Sequence, residues 1–344
     1  MLRSHNLLGR VGVLAALLSL TAPAYSQAVP AQLQQFLKQR IGLDDESIRK
    51  MNEGTVVTKV MDTHDKYGLL VFGAVYINGT VEDYAKIYHD VKKLEQERVY
   101  VAVQEFSKPP KLADVARLTV EKKDVDDFEK CKPGDCEVQI IDGATKNKID
   151  WKSPNKYEQA NQAVRQRIVD MMTQYNQGGL KALGSYRDRE QALNLYDATK
   201  AMVDRSGYIE ATRMPEFYKY LLDYPQAKLP GSQDFLYWEK IDFGQEPTVR
   251  VNHVIMYPNS KGPVTFYVAN KQLYASRYIR VALQSFFCIP AQGKPGFYLV
   301  ELNDSTLPDF GGLKLAIVRR IATGKSVEGT TDTLNMVKRR ISQQ

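Results

Sequence analysis

The chain has 344 residues, 43% of them hydrophobic and 25% charged, with a formal charge of +7. This is ordinary globular composition, ample for one large domain or two smaller ones, and no repeat or low-complexity tract appears. The basic residues are spread along the chain without an aromatic-studded stripe, which argues against a nucleic-acid binder and supports only weak attraction to anionic surfaces.

Met1 to Ser26 reads as a signal peptide. Arg3 and Arg10 give a basic start, Val11 to Leu20 an apolar run too short to span a bilayer, and Ala24-Tyr25-Ser26 the small residues of a cleavage site. No cysteine lies nearby to carry a lipid, so the expectation is a soluble periplasmic or secreted protein beginning at Gln27.

Within residues 27–53, two short amphipathic helices are expected between Pro30 and Met51, the second opened by Asp44-Asp45-Glu46. Thr55 to Met61 and Leu69 to Ile77 have strand character around the polar turn His64-Asp65-Lys66. Thr80 and Asp83 form a capping box for a helix whose apolar face is Val81, Tyr84, Ala85, Tyr88 and Val91. Val99 to Phe106 and Val115 to Val120 read as strands separated by Pro109-Pro110.

Cys131 and Cys136 flank the turn Lys132-Pro133-Gly134-Asp135. In an oxidising compartment a bridge across that turn is expected, the alternative being two reduced thiols without a role. Glu137 to Ile141 follows this turn as a further strand-like segment, and Cys288 reads as a small buried apolar residue.

The period then changes. Residues 151–229 read as an inserted helical block with helices at Tyr157 to Tyr175, Asp188 to Asp204 and Pro215 to Asp223, broken by Gly178-Gly179, Gly184 and Gly207. Strand character returns at Phe235 to Phe243, Val249 to Tyr257, Val264 to Ala269, Leu273 to Leu283 and Phe297 to Glu301, with short connections that favour antiparallel neighbours. After Leu307-Pro308, a long helix from Leu313 carries Ile317, Ile321, Gly324, Val327, Thr331, Leu334, Val337 and Ile341 as one stripe.

Phe235-Leu236-Tyr237-Trp238-Glu239, Arg250 to Tyr257, the Leu307-Pro308 break and the closing helix together resemble the helix-grip fold of the START-like and polyketide-cyclase superfamily. The resemblance implies an α+β domain over 54–150 and 230–344, in which a curved antiparallel sheet wraps the last helix and leaves an apolar tunnel between them. It further implies binding or carriage of a lipid or other hydrophobic molecule.

Among the catalytic signatures sought, the chain has no metalloprotease, serine-hydrolase, phosphate-loop or dinucleotide motif. Two cysteines without suitable histidine partners do not make a zinc site, and neither a metal nor a cofactor is expected. Candidate ligand contacts are His253, Arg277, Trp238, Tyr257, Tyr278 and Gly324. Alternation places His253 on the apolar face of its strand, either fixing a ligand or satisfied in the core by a backbone or tyrosine partner. Arg277 shares a face with Leu273, Ala275 and Ile279 if its strand is regular. It then pairs with an internal carboxylate, Glu239 or Asp242 being candidates, or it meets an anionic ligand group. A bulge could equally turn it outward. The aromatics line a pocket or simply pack as strand residues do. Gly324 either lets the sheet approach closely or leaves room for a ligand.

Three functions follow from this pattern: a carrier of a hydrophobic molecule, which transient contact with a membrane surface would suit; an enzyme using the same cavity, cyclase- or hydrolase-like; or an interaction protein with a solid core. A filled core disfavours the first two, and convergent titratable groups would favour chemistry.

Overall fold

The computed structural model describes residues 29–89, 91–139, 146–205, 214–242 and 244–343; the expected signal peptide lies outside them. Helix α1 (Ala31–Gln35) runs on as a wider turn over Phe36–Ile41, and α2 (Asp45–Asn52) starts where the Asp44 carboxylate accepts a hydrogen bond from the Ser47 amide. Strands β1 (Val57–Met61) and β2 (Gly68–Ile77) form a hairpin. Thr80 then caps α3 (Val81–His89): its hydroxyl accepts from the Asp83 amide at 3.1 Å and donates to the Asp83 carboxylate at 2.6 Å. Strand β3 (Tyr100–Glu105) follows.

Val115 to Val120, expected as a strand, is a short 3-10 turn (Leu112–Val115) followed by irregular chain. The next segment, to which the sequence reading assigns no element, is helix α4 (Lys122–Lys130). Cys131 and Cys136 are joined in a disulfide directly after it.

The helical region contains α5 (Lys156–Leu183), a two-stranded hairpin β4 (Ser185–Tyr186) and β5 (Leu193–Asn194), α6 (Leu195–Arg205) and α7 (Pro215–Asp223). The expected helix from Asp188 therefore begins only at Leu195. Pro215 at the first position of α7 suits a helix start, where its missing N–H costs nothing.

Five long antiparallel strands follow: β6 (Gln233–Ile241), β7 (Thr248–Pro258), β8 (Phe266–Ala275), β9 (Val281–Pro290) and β10 (Phe297–Thr306). The segment Leu273 to Leu283 is not one strand. It spans the β8–β9 turn, where Tyr278 takes a positive φ of 66° and no glycine, proline or asparagine announces the change of direction.

The eight strands form one sheet in the order β1-β2-β10-β9-β8-β7-β6-β3. The chain closes with α8 (Gly312–Ser342), which lies against the β1–β2 side of the sheet. This is an α+β architecture, with a sheet packed on a long C-terminal helix. Alternation divides the core. One face, with Phe235, Val254, Val268, Phe286 and Leu299, packs against α3 and the second half of α8 through Leu334, Val337 and Ile341. The opposite face, with Leu236, Trp238, Val251, Ile255 and Leu273, shares one apolar cluster with α1, α2, α5, α6 and α7.

Candidate functional site

Helix α4 exposes Lys122, Lys123 and Lys130 and buries Asp124 and Val125, while Phe128 one turn on is half-buried. The disulfide reverses the chain after it and returns Val138 and Gln139 to the end of β8. There the Gln139 amide donates to the Ser276 carbonyl at 2.9 Å and its side-chain Nε2 to the Ile279 carbonyl at 2.9 Å. From the other side, α5 offers Ala160, Ala163, Val164, Ile168 and Met171, a spacing of three and four residues that keeps them on one helix face.

These elements do not close completely on one another. They leave a partly enclosed cavity of about 100 Å³, lined mainly by the α4 and α5 apolar residues together with Val138, Ile149 and Tyr274. Asp124, Gln139, Arg167 and Ser276 add polar groups to the wall. Asp124 and Gln139 are 5% and 6% exposed, yet Asp124 Oδ2 and Gln139 Oε1 have no hydrogen-bond partner among the described residues. Leaving a buried acceptor unpaired costs about 1–3 kcal/mol. Both residues belong to the cavity wall, so two buried unpaired acceptors border one small, mainly apolar space.

The carboxylate is fixed in place by its other oxygen. Arg277 bonds Asp124 through Nε and Asp127 through Nη2, at 2.5 Å for the latter. Burial pushes the Asp124 carboxyl above its ordinary range even with Arg277 alongside. Arg280 makes a neighbouring pair with Asp188 at 3.3 Å, and burial pushes Asp188 up as well. The Tyr274 hydroxyl donates to the Gln139 carbonyl at 3.4 Å, and burial raises its pKa.

The sequence candidates are not gathered into one pocket. Arg277 sits in the β8–β9 turn and not within a strand. Its partners are Asp124 and Asp127, while Glu239 instead accepts from Arg250 and Asn252. His253 is fully buried on the face covered by α5 and α7, with Nδ1 2.7 Å from the Tyr175 hydroxyl. Burial lowers its pKa to about 4, so it is neutral; Tyr175 meets Nδ1, while the buried Nε2 has no hydrogen-bond partner among the described residues. Its Nε2 lies 3.6 Å from Asp234, too far for a hydrogen bond.

Trp238 lies on that same face, its indole N–H donating to the Asp114 carbonyl at 2.8 Å, and Tyr257 packs near Phe217. Tyr278 is 38% exposed, and its hydroxyl accepts from the Glu246 amide. Gly324 is on the exposed side of α8, where an added Cβ would meet nothing within 4 Å; close packing against the sheet is not its role. Gly324→Ala is therefore expected to stabilise the chain by up to about 1 kcal/mol through helix propensity. Urea denaturation checks this, and a loss of stability would place a neighbour against that side of α8.

The residues that sequence reasoning missed are Asp124, Gln139 and the α5 apolar face. The local signals for α4 are opposite charges four residues apart and the Val125/Phe128 spacing; of these, Lys123 and Asp127 form a 2.8 Å pair on the helix surface. Among the described residues, no group of three or more histidine, cysteine, aspartate or glutamate side chains could hold a metal, and no helix is long and apolar enough to cross a membrane. Compared with protein-family models, curated proteins and solved structures, the chain finds no match.

Proposed function

We propose that this is an exported protein that binds a small hydrophobic molecule, or the end of a longer one, in the cavity between α4, α5 and β8. The observation that carries this reading is the pair of buried, unpartnered acceptors, Asp124 Oδ2 and Gln139 Oε1, in an otherwise apolar space. At about 100 Å³ the space is smaller than the ~150 Å³ apolar cavity that accepts benzene, so it takes a short alkyl segment, or a single ring that extends through its open side, and not a whole lipid. Two acceptors select a ligand with a hydroxyl, amine or ring N–H. The lining favours binding over catalysis, because Asp124 is committed to Arg277 and the Tyr274 pKa is raised away from acid–base use at neutral pH. Export is supported by the disulfide and by the leader-like pattern of residues 1–26.

The helix-grip reading of the sheet is supported by its order, in which the first long strand β2 lies beside the last strand β10 and the last helix crosses them. One observation favours a second location for the ligand, on the face toward α8. There Glu239, Gln272 and Glu301 are buried, and each has one side-chain oxygen without a partner among the described residues.

Native mass spectrometry of protein from its own source tests the proposal. The expected result is a retained small molecule that Ala163→Leu, which fills the α5 side of the cavity, excludes. Retention by Ala163→Leu together with loss on Gln272→Leu would move the site to the α8 face. A mass equal to the polypeptide alone would count against binding at either place.

A further inference from the structure

Among the described residues, the first half of α8 is the long helical segment whose large apolar side chains face solvent. Leu313, Ile317 and Ile321 are 78%, 52% and 50% exposed, while the helix buries Thr330, Leu334, Val337 and Ile341 in its second half. Steps of four residues place the three exposed side chains on one side, and at 100° per residue that side is rotated well away from the buried one. From Gly312 to Val327 the sequence contains Lys314, Arg319, Arg320 and Lys325 and no acidic residue. On the same projection Arg320 borders the apolar ridge on one flank, and Lys314 and Lys325 border it on the other. Arg319 faces the body of the protein, donating to the Lys66 carbonyl at 2.7 Å.

We propose that this ridge is a membrane-docking surface that inserts Leu313, Ile317 and Ile321 into the interface of an anionic lipid bilayer. An apolar ridge with a basic residue on either side is the composition of a helix that lies in the plane of the headgroups, where long basic side chains reach phosphates while the aliphatic groups sink below them. The ion pairs on these flanks do not compete strongly: Lys314 to Glu137 at 3.5 Å and Lys325 to Glu328 at 3.0 Å are both exposed. Anchoring of the second half of α8 against β1 and β2 holds the ridge in a fixed orientation, so docking needs no folding of the segment. A second copy of the chain is the poorer occupant, since self-pairing would bring the same basic flanks together. The reading is independent of the cavity, which lies on the opposite face of the sheet.

The test is co-sedimentation of the chain from Gln27 onward, which leaves out the apolar leader-like run. The probes are vesicles of phosphatidylcholine alone and vesicles with about one third phosphatidylglycerol. The expected result is binding to the anionic vesicles that weakens as salt is raised from about 0.1 to 0.5 M. Replacing Leu313, Ile317 and Ile321 together by serine should weaken it at least ~10-fold, as loss of inserted apolar area requires. Replacing Lys314, Arg320 and Lys325 together by glutamine should remove the preference for anionic vesicles, at roughly fivefold per charge. Both variants change exposed side chains, and unchanged melting temperatures confirm that they fold. The proposal is overturned by absent binding to anionic vesicles, by equal binding of the serine variant, or by salt-independent binding to phosphatidylcholine alone. It is equally overturned if the chain dimerises through this ridge, seen as dimer loss in the serine variant, without sedimenting with vesicles.

Discussion

Arg277→Met is expected to destabilise the fold by about 3–5 kcal/mol, the cost of removing one partner from a buried ion pair. Both side chains of the Arg277–Asp124 pair are 6% exposed, so water cannot take over when the guanidinium leaves. Asp127, at 18%, is better solvated and contributes less. The loss should shrink in the double variant Arg277→Met, Asp124→Asn, where no charge is left stranded. Burial already raises the Asp124 pKa, and without Arg277 it rises further. A group with a raised folded-state pKa favours folding at low pH and loses that contribution as pH rises through the folded value. The Arg277→Met penalty should therefore be smaller in mild acid than at neutral pH. Denaturant midpoints of the two single variants and the double variant measure this. A penalty below about 1 kcal/mol at neutral pH would mean that the pair is hydrated and that Asp124 is not held by it.

The second large effect concerns Glu301. It is fully buried beneath α8, with one oxygen accepting from Gln284 Nε2 at 2.8 Å and Thr330 Oγ1 at 3.2 Å, and the other unpartnered among the described residues. Burial pushes its pKa up to about 8 from an ordinary 4.5. Between those values the folded chain holds a proton that the unfolded chain has released. Stability therefore falls as pH rises, by about 1.4 kcal/mol per pH unit from this group alone. The accumulated loss above pH ~8 is of order 4–5 kcal/mol. Glu301→Gln removes the titrating group while keeping the hydrogen-bond geometry, so the stability gap between variant and wild type should widen with pH across that window. A gap that stays constant would show that Glu301 titrates alike in both states.

Local signals in the sequence located many elements. The Asp44 and Thr80 caps set two helix starts, and Pro215 and the flanking residues bound α7 as expected. What the sequence could not convey was direction at the β8–β9 turn. Alternation continues through Ser276 and Arg277 with no glycine, proline, asparagine or aspartate, so Leu273 to Leu283 reads as one strand and Arg277 as a strand-interior charge. Its carboxylate partner lies 153 residues earlier, in α4, which the sequence reading leaves without an element. The apolar stripe of α8 was visible as periodicity, but its drift around the helix axis divides it into a packed half and an exposed half. His253 was correctly placed on an inward face, yet only the fold supplies Tyr175 as its partner. The cavity could not be read locally at all, because α4, α5, the cystine turn and the end of β8 each contribute only part of its wall.

The central claim, a ligand held between α4, α5 and β8, is tested most directly by calorimetric titration of phenol, a single ring with one O–H donor, into the wild-type chain and Ala163→Leu. The account predicts saturable binding at one site in the wild type. It also predicts at least ~10-fold weaker binding in Ala163→Leu, at equal or higher thermal stability as the added side chain fills empty space. Equal affinity in the two proteins, or no binding to either, would contradict it.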